Sequence, residues 1–365
     1  MNKPFVFSAD AHVMEPRDLY LDGLPASLKS QALRATRDEK GAILMGTEDK
    51  VIFRMQPVME EFSGGKRKGI HDLKGRFEDM ERDGIDAEIC FPSLGLWTYA
   101  LTDPDAECAN IQVYNDWNNE FLSGHLDKFV RCAVLPVRDF SNTVSELKRI
   151  AAMGFTAAML PSVIPTGVPL YNDPAWDEVF KLAGDLGVVF VLHTGTGLES
   201  VIQERGPGGA VVNYSKQMSD GIEAVTYLVA GGVLDRNPKT QVAVIECGAS
   251  WLAATGERMD EVYEAHAPFV QPKLSIKPSE IMRRQVKASF QHDRACIEAR
   301  HITGTQALMW ASDYPHSEGT FPHSRDVVNS LFEGIDISEQ DKADILGGNA
   351  ARLFRLQHPD FMPAS

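Results

Sequence analysis

Short apolar runs alternate with helical stretches along the whole chain, and this alternation restricts the available folds more than any other feature. Strand-like runs are read at Phe5-Val6-Phe7-Ser8-Ala9-Asp10-Ala11-His12, then at 87–91, 130–135, 157–160, 188–192, 242–245, 288–291 and 307–312. Between them lie stretches of helical periodicity, such as 72–83, 105–122, 142–153, 174–186 and 221–234, and the chain closes with helices read at 324–332 and 339–354. Strand followed by helix, repeated without exception, means a parallel sheet with right-handed crossovers, and eight such units close into a barrel. The expected fold is therefore α/β, a distorted (β/α)8 TIM barrel spanning residues 1–365 as a single domain. An open doubly wound sheet is the competing architecture. It calls for a glycine-rich dinucleotide turn after the first strand, where this chain has Asp10-Ala11-His12.

The ends of four of these runs carry chemistry. Strand side chains alternate with period 2, so Asp10 and His12 point to one face. A carboxylate at the end of a buried strand is costly unless a partner or a cation takes up its charge. Downstream, Val188–Leu192 runs into His193, Val242–Ile245 into Glu246, and Ala307–Ser312 into Asp313. In a parallel barrel all strand C-terminal ends face one opening, so Asp10, His12, His193 and Asp313 can converge there. Two imidazoles and two carboxylates suit one divalent ion, zinc or manganese, with a coordination position left open for chemistry. Taken singly, each of the four can also be read as a buried polar group satisfied by hydrogen bonds.

Residues 16–70 form an insertion too long for an ordinary connection. Placed after the first strand it lies over the active face, as a lid or flap. Arg54 and Arg67 within it could clamp a substrate carboxylate, although a solvated surface cation is the commoner role for either. Trp97, just past the end of the second barrel strand, is the aromatic side chain best placed to meet substrate.

Charge and composition remove several function classes. The net charge is -15 and the longest basic run is Lys66-Arg67-Lys68, which argues against nucleic acid or an anionic membrane as partner and leaves a small-molecule substrate. No stretch of 18 apolar residues occurs, strand-like sequence begins by Phe5, and the five cysteines are scattered singly. Free thiols in a reducing, cytoplasmic setting are expected.

The order Asp-x-His, a His closing the fifth strand, Asp313-Tyr314-Pro315 closing the eighth, and Gly347-Gly348-Asn349-Ala350-Ala351-Arg352-Leu353-Phe354 near the end resembles the amidohydrolase superfamily. The closer resemblance is to the branch containing aminocarboxymuconate semialdehyde decarboxylase and gamma-resorcylate decarboxylase. It implies one divalent metal held by Asp10, His12, His193 and Asp313, non-oxidative decarboxylation of a carboxylated aromatic or muconate-like acid, and a homodimer or higher oligomer. One position departs from the branch: Glu246 stands where a catalytic His closes the sixth strand. Glu246, His316 and Glu15 are accordingly the candidates for moving a proton. Hydrolysis of an ester, amide, lactone or C–C bond by metal-activated water is the competing chemistry. A binding protein on a decayed enzyme scaffold is a third reading, disfavoured because all four ligand positions are filled.

Overall fold

A computed structural model describes residues 4–55, 67–198 and 202–361. Eight parallel strands make up the main sheet: β1 (Phe7–His12), β5 (Ala87–Phe91), β6 (Phe129–Val134), β7 (Ala157–Pro161), β8 (Val189–His193), β9 (Val242–Ile245), β10 (Val286–Phe290) and β11 (Leu308–Trp310), in that spatial order. The circle closes through a single parallel bridge between Ala11 and Tyr314. His12 N–H donates to Tyr314 O at 2.6 Å and Asp313 N–H to Asp10 O at 3.0 Å. A full ladder is missing at this seam because β11 is only three residues long, so the barrel is distorted there. The eight strands and their order are those the alternation predicts.

Local sequence sets the helix starts. Asp72, Asp103, Asp139 and Asp293 each precede a helix and accept a hydrogen bond from a backbone N–H of its first turn. That satisfies donors which an unbonded helix end leaves exposed. Facing the barrel, the helices bury apolar side chains such as Met80, Ile111, Leu147, Phe180 and Leu228 against the strands.

Two elements depart from the sequence reading. The helix expected to start at Gly221 begins at Gly209 and runs to Ala230. Its first turns follow Gly206-Pro207-Gly208 and carry an apolar stripe, Val211, Tyr214 and Met218, that is exposed rather than packed on the barrel, so the expected start fell where the core-facing stripe sets in. The closing helix read as 339–354 is broken by a π-turn at Asp344–Gly348. A Cβ on Gly347 would lie 2.6 Å from Phe5 O, so the glycine lets the C-terminal segment pack directly on β1.

The insertion is not structureless. It carries an antiparallel sheet of β2 (Arg34–Arg37), β3 (Ile43–Gly46) and β4 (Val51–Met55), and part of it, with Lys66, lies outside the described residues. Among the described residues no helix is long and apolar enough to cross a membrane, and all five cysteines are free.

One core position works against stability. Lys287 on β10 is 9% exposed, and burial lowers its ammonium to about 8. A Lys whose folded pKa is depressed costs stability at every pH below its unfolded value, with the cost fading as pH rises. Lys287→Met is expected to raise the unfolding free energy at pH 7 by about 2–3 kcal/mol, and by much less at pH 10, as read by chemical denaturation at both pH values.

Candidate metal centre

At the C-terminal mouth of the barrel the two strand-end histidines face each other. His12 Nδ1 lies 2.9 Å from Pro92 O, and His193 Nδ1 lies 3.0 Å from Thr194 O. Each ring nitrogen beside a carbonyl must carry the proton, which leaves both Nε2 atoms as lone-pair acceptors. Those two Nε2 atoms stand 3.3 Å apart. Asp10 Oδ1 is 3.5 Å from one and 3.6 Å from the other, and Asp313 Oδ1 is 3.7 Å from His12 Nε2. All four side chains are 0–1% exposed. Both carboxylate oxygens of Asp10 and Asp313 Oδ2 have no hydrogen-bond donor among the described residues.

Lone pairs facing lone pairs beside undonated carboxylates would be repulsive in an interior of low dielectric. A cation at their common focus removes the conflict. At the ~2.0–2.1 Å length of an imidazole bond to a divalent ion, two nitrogens 3.3 Å apart can share one ion. The donor set therefore fits a divalent metal, and the second nitrogen of each ring is already held by a carbonyl, as metal-binding imidazoles are.

The backbone is shaped for this purpose. Between β1 and β5 the pairing jumps from Ser8↔Glu88 to Ala11↔Cys90, a bulge that re-aims Asp10. Asp313 (φ 54°) and Glu246 (φ 62°) are left-handed, unusual for residues other than glycine. Beyond Asp313 the chain turns back at once: His316 N–H donates to Asp313 O, and Thr320 N–H to Ser312 O, both at 2.9 Å. Gly319 completes this turn because a Cβ there would lie 2.7 Å from Asp313 O.

That turn lays the His316 ring over His12, with centroids 4.4 Å apart, and sets His316 Nδ1 2.8 Å from Asp313 Oδ1. Glu246 Oε2 is 3.7 Å from His193 Nδ1, and its side chain is 17% exposed. Burial raises Glu246 well above the usual carboxylate range, and Asp313 adds to it. Burial likewise lifts Asp313 to about 6, with Asp10 contributing. Without an ion, burial alone would lower His193 and His316, but their carboxylate neighbours outweigh it and hold them at about 9 and 10, so that protons take the place of the cation the lone pairs would otherwise face. His12 has no such surplus, and burial drives it well below its ordinary value.

The structure thus brings together Asp10, His12, His193, Asp313, Glu246 and His316. Glu15 lies apart from them. Its carboxylate accepts from the backbone N–H of Ser93, Leu94 and Gly95 and from Tyr20 O–H, at 2.7–3.2 Å. Four donors leave it a cap for the turn after β5. Arg54 is spent on Asp38 at 2.6 Å within the small sheet. Trp97 stacks on Phe53 of β4, with centroids 4.9 Å apart, and so pins the small sheet to the loop after β5. Arg67 donates to Pro315 O and to His316 O.

Two contributors escaped the sequence reading. Arg76 donates to His12 O at 2.9 Å, pairs with Glu88 at 2.7 Å and lies 4.2 Å over the Tyr314 ring. Glu88, a charge inside the apolar run Ala87–Phe91, was the available signal for a buried cation nearby. Glu318 joins Glu246, Asp313 and His316 at the mouth. Tyr214, from the helix portion that the sequence reading missed, lies near enough that Glu318 adds to the burial that raises its hydroxyl above the usual value.

The family model described as amidohydrolase matches residues 9–356. A gamma-resorcylate decarboxylase of Rhizobium radiobacter is 25% identical over 269 residues, covering 66% of this chain and 75% of that protein. Among solved structures, an amidohydrolase of Mycobacterium avium subsp. paratuberculosis K-10 superposes with a TM-score of 0.81 at 18% identity, covering 97% of this chain and all of that one. A dihydroxybenzoic acid decarboxylase of Polaromonas sp. JS666, solved with manganese and the inhibitor 2-nitroresorcinol, gives 0.65 at 17% identity, covering 99% of this chain and 100% of that one.

Proposed function

The chain belongs to the amidohydrolase family, and from that membership we propose that it is a metal-dependent, non-oxidative decarboxylase of a carboxylated aromatic or muconate-like acid. The observation that carries the reading is the pair of inward Nε2 atoms 3.3 Å apart, flanked by undonated carboxylates. The similarity to decarboxylases of hydroxylated aromatic acids supports the substrate class.

In this reading Asp10, His12, His193 and Asp313 would hold one divalent ion, manganese or zinc, which would supply Lewis-acid charge for the substrate carboxylate. Glu246, kept protonated by burial, gives its proton to the ring carbon that bears the carboxylate. The carbon–carbon bond to the carboxylate then breaks, its electron pair returns to the ring, and carbon dioxide leaves. His316, grouped with Glu246 and Asp313 at the mouth, passes a proton back to Glu246. The described part of the insertion, residues 16–55 and 67–70, acts as the flap that excludes water, with Phe53 on Trp97 as its anchor. The exposed apolar side chains Val211, Tyr214 and Met218 on the helix Gly209–Ala230 support a homodimer or higher oligomer. The free cysteines support a reducing, cytoplasmic setting.

Hydrolysis is favoured by one observation: a carboxylate, Glu246, rather than an imidazole faces the site, and a carboxylate can serve as base for attacking water. Manganese-loaded protein incubated with a panel of hydroxybenzoates separates the two. Carbon dioxide release from at least one is expected. No release from any, beside turnover of esters or lactones, would overturn the decarboxylase reading.

A further inference from the structure

At the opposite end of the barrel lies a cleft with a different electrostatic character. It measures about 480 Å³ and is formed by the starts of β8 and β10, the segment leading into β9 and the C-terminal helix Asn349–Leu353. Four cationic side chains line it, Lys239, Lys287, Arg352 and Arg355, together with Gln241 and Asn349. No Asp or Glu is among the lining residues. For a chain of net charge -15 this is a local inversion of sign.

The cations are not equally compensated. Lys239 meets Asp185 at 3.2 Å and Arg352 meets Asp344 at 2.5 Å, both carboxylates lying outside the lining. Lys287 and Arg355 form no ion pair among the described residues. Lys287 Nζ has only the carbonyls of Arg284 and Val286, each at the long distance of 3.5 Å. Arg355 is held at the rim by a bond to Gly187 O, on a left-handed backbone with φ 52°. A nine-tenths buried ammonium without a counter-charge, opening on a cavity edged by guanidinium groups, lacks an anion.

We propose that this cleft is a binding site for a phosphate-class dianion, remote from the metal centre. Arg355 offers a guanidinium at the rim, Arg352 the donors not spent on Asp344 and Asn349, and Lys287 a point charge at the base. Gln241 supplies a neutral amide beside them, whereas the Asn349 amide is spent on Thr305 O and Leu308 O. A dianion here satisfies Lys287 and links β10 to the C-terminal helix, so it stabilises the folded chain by mass action.

Calorimetric titration with inorganic phosphate, and thermal unfolding with phosphate against sodium chloride at matched ionic strength, test this directly. Saturable binding and a rise in melting temperature are expected for the wild type. Lys287→Met should bind phosphate at least about tenfold more weakly, while Lys287→Arg should retain binding. Phosphate could instead settle at the metal centre. In that case Lys287→Met would respond like the wild type and Asp313→Asn would lose the response, which refutes the cleft and leaves the metal site standing. Equal shifts from phosphate and chloride would also refute it.

Discussion

Asp313→Asn is expected to lower turnover more than about 100-fold and to weaken metal binding at least as much. Loss of a group that merely orients a metal ligand already costs 10–100-fold, and Asp313 is read here as a ligand. The substitution is clean for a structural reason. Asp313 sits at φ 54°, a region Asn enters readily, so the turn carrying His316 should survive. Stability should move the opposite way. With the ion stripped, burial holds Asp313 at about 6, above the 3.8 of a free aspartate. The ionised side chain is thus disfavoured in the folded state by about 3 kcal/mol at pH 8. The metal-free Asn variant should therefore unfold at a higher temperature than metal-free wild type. Wild-type activity and metal content in the variant would refute the site as described.

The sequence was legible wherever side-chain period and position coincided. Eight apolar runs gave eight strands in the right order because a buried parallel strand is apolar on both faces, and that pattern survives without any knowledge of partners. Asp10, His12 and His193 were readable because each lies within its strand, where direction follows from the pleat. Asp313 stands beside them for a reason the pleat does not give. The strand stops at Trp310, and a left-handed turn rather than the pleat delivers the carboxylate. Glu15 shows the limit of proximity in sequence. Three residues from His12, it is aimed at the backbone amides of Ser93, Leu94 and Gly95, a partnership some 80 residues away. Arg54 fails likewise, since its partner Asp38 belongs to a hairpin whose register no period revealed. Arg76 was hidden because its contact is the main-chain carbonyl of His12, and main-chain partners leave no residue type to recognise.

Removing the ion from wild-type protein with a chelator should abolish turnover and make stability depend steeply on pH. The titrating groups divide by sign. Asp313 and Glu246 have raised values when folded, so the protonated forms stabilise, and that contribution is lost as pH climbs through about 6 for Asp313. His193 and His316 are raised to about 9 and 10 by their carboxylate neighbours. Their contribution is complete below about 6.5 and disappears as pH rises through 9 and 10. Within the cluster His12 alone opposes them: lowered by burial, it costs stability only below about 6.5, where the unfolded chain takes up a proton that the folded site refuses. Stripped protein should therefore be most stable near pH 6 and soften toward pH 9, above which the fading cost of buried Lys287 works the other way. A bound divalent ion takes the place of those protons, so loaded protein should hold its melting temperature at alkaline pH and release the ion in acid as protons compete for imidazole and carboxylate. At a thousandfold excess over its dissociation constant the ion is worth about 4 kcal/mol of stability. Scanning calorimetry of loaded and stripped samples from pH 5 to pH 9 should thus show a gap that widens with pH. A gap of constant size would mean that the ion binds away from this cluster, because only binding at these titrating groups ties its stabilisation to their protons.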